Sequence, residues 1–416
     1  MIPLASSGSK SNYDLFDLVH MKDRSHGIES ESMEHADIDV RRLTCMIREE
    51  SLRLGFAQTG FTRAGMTPHT EQFREWLRDG FHGEMHYLER QVAKRANPDQ
   101  VLSGVRSIIV TTLNYAAGGN DSVLPLQGRI SSYALSVDYH TVVRERLERL
   151  LAFIRSKVPN VRGICHVETG PVSEKIWATE TSIGWMGKHT GVGSRRLGTH
   201  FFLGVILLNI PLNYDDRSEG FCGTCQRCLE ACPTHALLAP YRLDARRCLS
   251  YLTIEFRGVI SRELRPLVGH RIFGCDECRN ACPWNRFAVA PSAEELAPGM
   301  EDSTLDLLPL VEMSREEFER RFAGSPVRRA TRDGFVRNVI VALGNSRRIE
   351  AIPALLTALH DESPLVRIHA VWAVWALGRT MQGESRAVLE SARERETNAD
   401  VLAEIAHMLK EQAEAE

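Results

Sequence analysis

The sequence predicts an α+β multidomain protein: a mixed helix–strand domain, a cysteine-rich module and a wholly helical C-terminal region. Three observations predict it. Helical periodicities alternate with short apolar strand-like runs up to about residue 215; eight of the ten cysteines lie between Cys222 and Cys282; and no strand signal follows residue 290. At 416 residues the chain is too long for one small core. The expected limits are 1–36, 37–215, 216–290 and 291–416.

Residues 1–36 are rich in Ser, Asp, Glu, His and Lys without hydrophobic periodicity, which predicts a disordered tail. VRRLTCMIREESLRLG (40–55) has helical spacing and ends in Gly. RSIIVTTLNY (106–115) and HFFLGVILLNI (200–210) are short, apolar and partly β-branched, as buried strands are. Between them, 139–158 reads as an amphipathic helix with Val142, Val143, Leu147, Leu150, Leu151 and Ile154 on one face. These alternations suggest an α/β arrangement for 37–215. In the C-terminal region, 351–379 reads as two antiparallel helices broken at Asp-Glu-Ser-Pro. Ala-Leu-Gly recurs at 342–344 and 376–378, and the segment resembles a HEAT repeat.

The formal net charge of −3 announces no nucleic-acid binder, so any RNA site must be a local patch. No run of about 18 apolar residues exists, and the start has neither a hydrophobic leader nor a twin-arginine signal, so a cytoplasmic protein is expected. Its cysteines would then serve as thiols or metal ligands rather than disulfides.

CGTCQRCLEACP places Cys222, Cys225, Cys228 and Cys232 before Pro233, the C-x2-C-x2-C-x3-C-P run of bacterial ferredoxins. CDECRNACP repeats it with Cys275, Cys278, Cys282 and Pro283, and Cys248 can supply the missing first ligand from a distance. In ferredoxins the fourth cysteine crosses to the other cluster. That logic gives one [4Fe–4S] cluster to Cys222, Cys225, Cys228 and Cys282, and the other to Cys232, Cys248, Cys275 and Cys278. A pair of structural zinc sites also uses C-x2-C pairs, but two C-x3-C-P endings favour clusters. Cys45 and Cys165 lie outside the pattern and read as buried small hydrophobes.

A ferredoxin needs far fewer residues, so the preceding domain should hold the chemistry that the clusters feed. YALSVDYH (133–140), ETGPVSEK (168–175), SIGWMGKHTG (182–191), ARRCLSYLTIE (245–255) and GCDECRNACPWN (274–285), with the cysteine run, resemble epoxyqueuosine reductase over about residues 40–380. The resemblance implies a cobalamin-binding α/β catalytic domain, a ferredoxin-like module and a HEAT-like tail. It further implies reduction of epoxyqueuosine at the wobble position of tRNA to queuosine, with cob(I)alamin as nucleophile, fed singly by two clusters. Asp138 maps onto the family's proton donor. Read alone, Asp138 is an N-cap for the helix that follows it. Asp138, Tyr139, Thr169, Gly170, Pro171, Lys175, Trp185, Gly187 and Lys188 map onto segments lining the corrinoid. Taken alone they would be a Gly-rich turn with solvated lysines. No Asp-x-His-x-x-Gly signature occurs, which fits base-off cobalamin. The family usually has basic residues where Ser132, Ser136 and Val137 stand here.

Arg328, Arg329, Arg332 and Arg337, followed by Arg347 and Arg348, form the candidate patch for tRNA phosphates. Expected partners are tRNA bearing epoxyqueuosine and an electron donor such as a flavodoxin or ferredoxin system, with the chain a monomer and no membrane contact. The competing readings are a cobalamin-dependent reductive dehalogenase and an iron–sulfur electron-transfer adaptor without an active site. Dehalogenases usually carry a twin-arginine signal and lack a helical-repeat tail, the reverse of this chain.

Overall fold

The structure is a computed structural model that describes residues 39–115, 123–291, 293–296, 303–378 and 384–415. The expected N-terminal tail lies outside them. The described residues form one compact unit.

Its first layer is a four-stranded sheet in the order Gln58–Arg63, Ser107–Asn114, Phe201–Leu208, Gly163–His166. Every neighbouring pair is antiparallel. The expected α/β arrangement is corrected here, because alternation of helices and strands along the chain leaves strand direction open. The two central strands are covered on both faces, which explains why neither carries a charged residue. Ile109, Leu113, Ile206 and Leu208 pack with Leu43 and Ile47 of the Val40–Arg53 helix, and with Leu147, Leu150 and Ile154 of the Tyr139–Lys157 helix. Ile108, Val110, Val205 and Leu207 face the other way, toward Trp177 and Ala178 of the short helix Glu174–Thr179. Gly204 permits the close crossing of the long helix, since a Cβ there would sit 2.9 Å from both Val143 and Leu147. Cys165 is buried as expected, but Cys45 is exposed, because its helix buries the side carrying Leu43, Thr44, Ile47 and Ser51.

A second sheet puts Gln127–Ile130 between Arg271–Phe273 and Thr304–Asp306. It takes one strand from each of the three sequence regions, so the C-terminal region is not strandless. Three residues are too few to register as a period.

The C-terminal helices Thr331–Ser346, Ile352–Ala358, Pro364–Ala376, Glu384–Arg395 and Ala399–Ala415 share one core with the cysteine module. Thr331–Ser346 is buried nearly all round, and this overturns two expected RNA contacts. Arg337 is fully buried and donates to the backbone carbonyls of Leu252 (2.6 Å), Gly258 (2.9 Å) and Phe256 (3.0 Å). Arg332 is buried in a bidentate pair with Asp361 (2.8 and 2.6 Å) and also donates to the Met313 carbonyl. Neither guanidinium faces solvent, so neither is placed to meet phosphate. Arg337 locks the helical region onto the cysteine module, and Arg332 ties the helices of that region to one another. Arg337→Met is expected to strand three buried carbonyls and to destabilise the fold by about 3 kcal/mol or more, read as a lowered denaturation midpoint.

Candidate functional site

The Tyr139–Lys157 helix begins at Asp138, which is its N-cap: Oδ1 accepts from the His140 backbone N–H at 3.0 Å. The same oxygen lies 2.7 Å from His140 Nδ1. Burial pushes the Asp138 carboxyl up, but the hydrogen bonds from the His140 ring and backbone outweigh it and hold the pKa below its ordinary value. About a third of the side chain stays exposed (36%), so the capping carboxylate can still meet a ligand. Its own N–H donates to Gly324 O at 2.7 Å, tying the turn to the C-terminal region.

Tyr139 points inward, stacked on Phe202 with centroids 4.0 Å apart, and its hydroxyl donates to Glu168. Glu168 Oε2 also lies 3.3 Å from His140 Nε2 and 3.7 Å from Arg329. Glu168 adopts a left-handed backbone (φ 53°), uncommon for a residue with a side chain. In the turn it opens, Thr169 and Pro171 flank Gly170, where a Cβ would lie 2.1 Å from His166 Nδ1, so only glycine fits. Arg329 is half-buried and bridges Glu168 to Glu255 (2.6 Å), which turns it toward this cluster. Arg328 is exposed and pairs with Glu319.

Lys175 is densely surrounded by protein yet exposed, as a side chain on the wall of a deep cleft would be. Burial, then the charge of Arg279, pulls its pKa down. Beside it Glu174 is pushed up to about 7, chiefly by burial, and its Oε1 has no hydrogen-bond partner within the protein. Arg279 comes from the cysteine module, donates to the Thr199 carbonyl (2.5 Å) and the Tyr115 hydroxyl (3.1 Å), and feels the charges of Cys278 and Glu168.

Trp185 and Lys188 lie against the first cysteine loop. Trp185 is buried edge-on to Phe221 and Trp284, with centroids 5.0 and 5.2 Å away. Lys188 Nζ donates to the carbonyls of Gly223 (2.7 Å) and Cys225 (2.9 Å). A Cβ on Gly187 would meet the His189 ring at 2.8 Å.

None of the eight clustered cysteines is in a disulfide. Their mutual repulsion sorts them into two groups. Cys228 feels Cys222, Cys282 and Cys225; Cys278 feels Cys248, Cys275 and Cys232. Burial, reinforced by this repulsion, pushes Cys228 up to about 11 and Cys275 to about 12. Thiols so crowded ionise together only with a cation among them. Asp276, between Cys275 and Cys278, is held by Ser131 Oγ (2.7 Å) and by the N–H and hydroxyl of Ser132 (2.7 and 2.8 Å). Ser132, one of the departures near the Asp-Tyr-His motif, thus joins that motif to the cysteine module.

The sequence did not single out Glu168, Glu255 or Arg279. Glu168 opens a quoted motif, but only the tertiary fold brings it to His140.

Residues 221–285 match the family described as "4Fe-4S double cluster binding domain", 95–169 match "Epoxyqueuosine reductase QueG, DUF1730", and 330–410 match "HEAT repeats". Fold and thiol pattern together define an iron–sulfur protein of the two-cluster class, with a helix–strand domain before the module and helical repeats after it. An epoxyqueuosine reductase of Pseudomonas aeruginosa is 39% identical over 348 residues, covering 82% of this chain and 96% of its own. The Escherichia coli epoxyqueuosine reductase is 38% identical over 341 residues, covering 81% and 90%. The chain belongs to the epoxyqueuosine reductase family. Among solved structures, an epoxyqueuosine reductase with an epoxyqueuosine-modified tRNA-Tyr stem loop superposes with a TM-score of 0.82 at 29% identity, covering 89% of this chain and 98% of that one. The Bacillus subtilis epoxyqueuosine reductase, solved with a catalytic aspartate loop swung out of its active site, gives 0.81 at 29%, with the same coverage.

Proposed function

We propose that this chain reduces the epoxide of epoxyqueuosine in tRNA to the alkene of queuosine, with Asp138 as proton donor. The observation that carries the reading is the exposed edge of Asp138, hydrogen-bonded to His140, in a chain whose eight clustered thiols form two groups.

Both thiol groups fit [4Fe–4S] clusters, with Cys222, Cys225, Cys228 and Cys282 holding one and Cys232, Cys248, Cys275 and Cys278 the other. Lys175, exposed although protein crowds around it, offers a donor to an amide-fringed macrocycle. When bound, cobalamin supplies a reduced cobalt nucleophile and the clusters supply its electrons. Thr169, Gly170, Pro171 and Lys175 would line that cofactor, held base-off. Trp185 and Phe221 keep water from the Cys222 group, and Lys188 braces its loop. Asp138 protonates the epoxide oxygen as its carbon–oxygen bond breaks.

We place tRNA along the exposed arginines of the C-terminal region, beginning at Arg328, in a cytoplasmic monomer served by a small redox protein. No helix among the described residues is long and apolar enough to cross a membrane. Arg328→Glu is expected to weaken tRNA binding and to lower the slope of log affinity against log salt by about one, measured by titration at several salt concentrations.

The function is tested in a bacterial strain lacking its own epoxyqueuosine reductase. Expression of this chain should convert the epoxyqueuosine of bulk tRNA to queuosine, and persistence of the epoxide with the protein present would overturn the reading.

A further inference from the structure

Reducing an epoxide to an alkene takes two electrons and two protons and releases the oxygen as water. The electrons come from the reductant through the clusters, and both protons must reach one oxygen. Asp138 carries at most one, and its hydrogen bonds with His140 hold it toward the ionised form. A second group must therefore keep it supplied.

His140 is that group by position. Its Nδ1 lies 2.7 Å from Asp138 Oδ1 and its Nε2 3.3 Å from Glu168 Oε2, the latter an ion-pair contact off the line of a hydrogen bond. A neutral imidazole has one N–H and one lone pair, so between two carboxylates it would turn the lone pair on one of them. Only the imidazolium offers a proton to both. The ring also stacks on Tyr139, centroids 4.1 Å apart, a face that favours a cation. The Tyr139 hydroxyl and Arg329 fix the Glu168 oxygen in place.

We propose that the proton delivered by Asp138 is stored on His140, and that Glu168 is the positioning residue that keeps His140 doubly protonated. The His140 Nδ1–H bond breaks as its proton passes to the Asp138 carboxylate, and the Asp138 O–H bond so formed breaks as the substrate oxygen takes that proton, leaving a carboxylate beside a neutral imidazole. Nε2–H stays on the ring, facing Glu168. The pair then reloads once from solvent through the exposed edge of Asp138, which completes the two protons of a turnover. Glu168 itself transfers none.

Tyr87, Tyr133, Glu174, Lys175, Arg279 and Arg329 also face Glu168. Glu174, near neutrality, and Lys175 also lose the Glu168 charge in a Glu168 variant, so the His140 ring is followed by its own NMR signals beside turnover.

The inference rests on the proposed reduction, and the test separates the two. Wild type, Glu168→Gln, Glu168→Asp and Asp138→Asn are compared as cluster-loaded protein with cobalamin, reductant and epoxyqueuosine tRNA, across pH, with iron content checked for each. Turnover should fall as pH rises and the imidazolium is lost. In Glu168→Gln turnover should drop about tenfold at alkaline pH and little at acid pH, with KM for tRNA unchanged. Glu168→Asp should restore most of the wild-type profile. A wild-type profile in Glu168→Gln, or an equal loss at every pH, overturns the role of Glu168 while leaving the reductase reading intact. Full turnover by Asp138→Asn removes the acid itself, and the proton store with it.

Discussion

Asp138→Asn is expected to lose alkene formation by about two to four orders of magnitude, the usual range for a general acid. The amide keeps the size of the carboxyl and most of its capping ability, so the Tyr139–Lys157 helix should start where it does now. It has no acidic proton to pass on. Iron content and cobalamin binding should match wild type, which confines the loss to the proton step. Asp138→Ala, which also removes the cap, should cost about 1 kcal/mol of stability in addition. Queuosine formation at the wild-type rate by the Asn variant would leave Asp138 as a helix cap and nothing more.

The second large effect concerns the thiols. Anaerobically prepared protein should hold about eight iron and eight sulfide per chain, and Cys225→Ser and Cys278→Ser should each lower iron to about four. The two variants should differ in kind. Cys278 and Cys248 both interact with the charge of Lys175, so their cluster is the one beside that side chain. Cys225 belongs to the group whose loop Lys188 braces. Cys278→Ser should therefore perturb spectra of bound cobalamin, and Cys225→Ser should not, while both abolish turnover. Stoichiometric zinc without sulfide in wild type would defeat the cluster assignment.

What the sequence made legible was local. C-x2-C-x2-C-x3-C-P is a short-range device, readable because adjacent loops must aim thiols at one point. The central strands were readable because burial on both faces leaves no charged position in the run. Asp138 could be read as a cap and as an acid from the same few residues, and its geometry permits both. What escaped was long-range. Arg332 and Arg337 look like any arginines on a helix, and only carbonyls from Leu252, Phe256, Gly258 and Met313, with Asp361, make them buried anchors. Lys188 sits in a motif suggestive of a corrinoid contact, yet its ammonium is engaged by carbonyls some 35 residues further along. Glu168 reaches His140 from 28 positions further along the chain, through a left-handed turn that no periodicity announces.

The most direct test of the central claim is turnover in a defined mixture. Cluster-loaded protein, cobalamin and a low-potential reductant are incubated without oxygen with tRNA carrying epoxyqueuosine, and the nucleosides are then released and weighed by mass spectrometry. The account predicts a modified nucleoside lighter by one oxygen atom, identical to queuosine, formed over many turnovers and only when cobalamin is present. Unaltered epoxyqueuosine in that mixture, or conversion that proceeds equally without cobalamin, would contradict it.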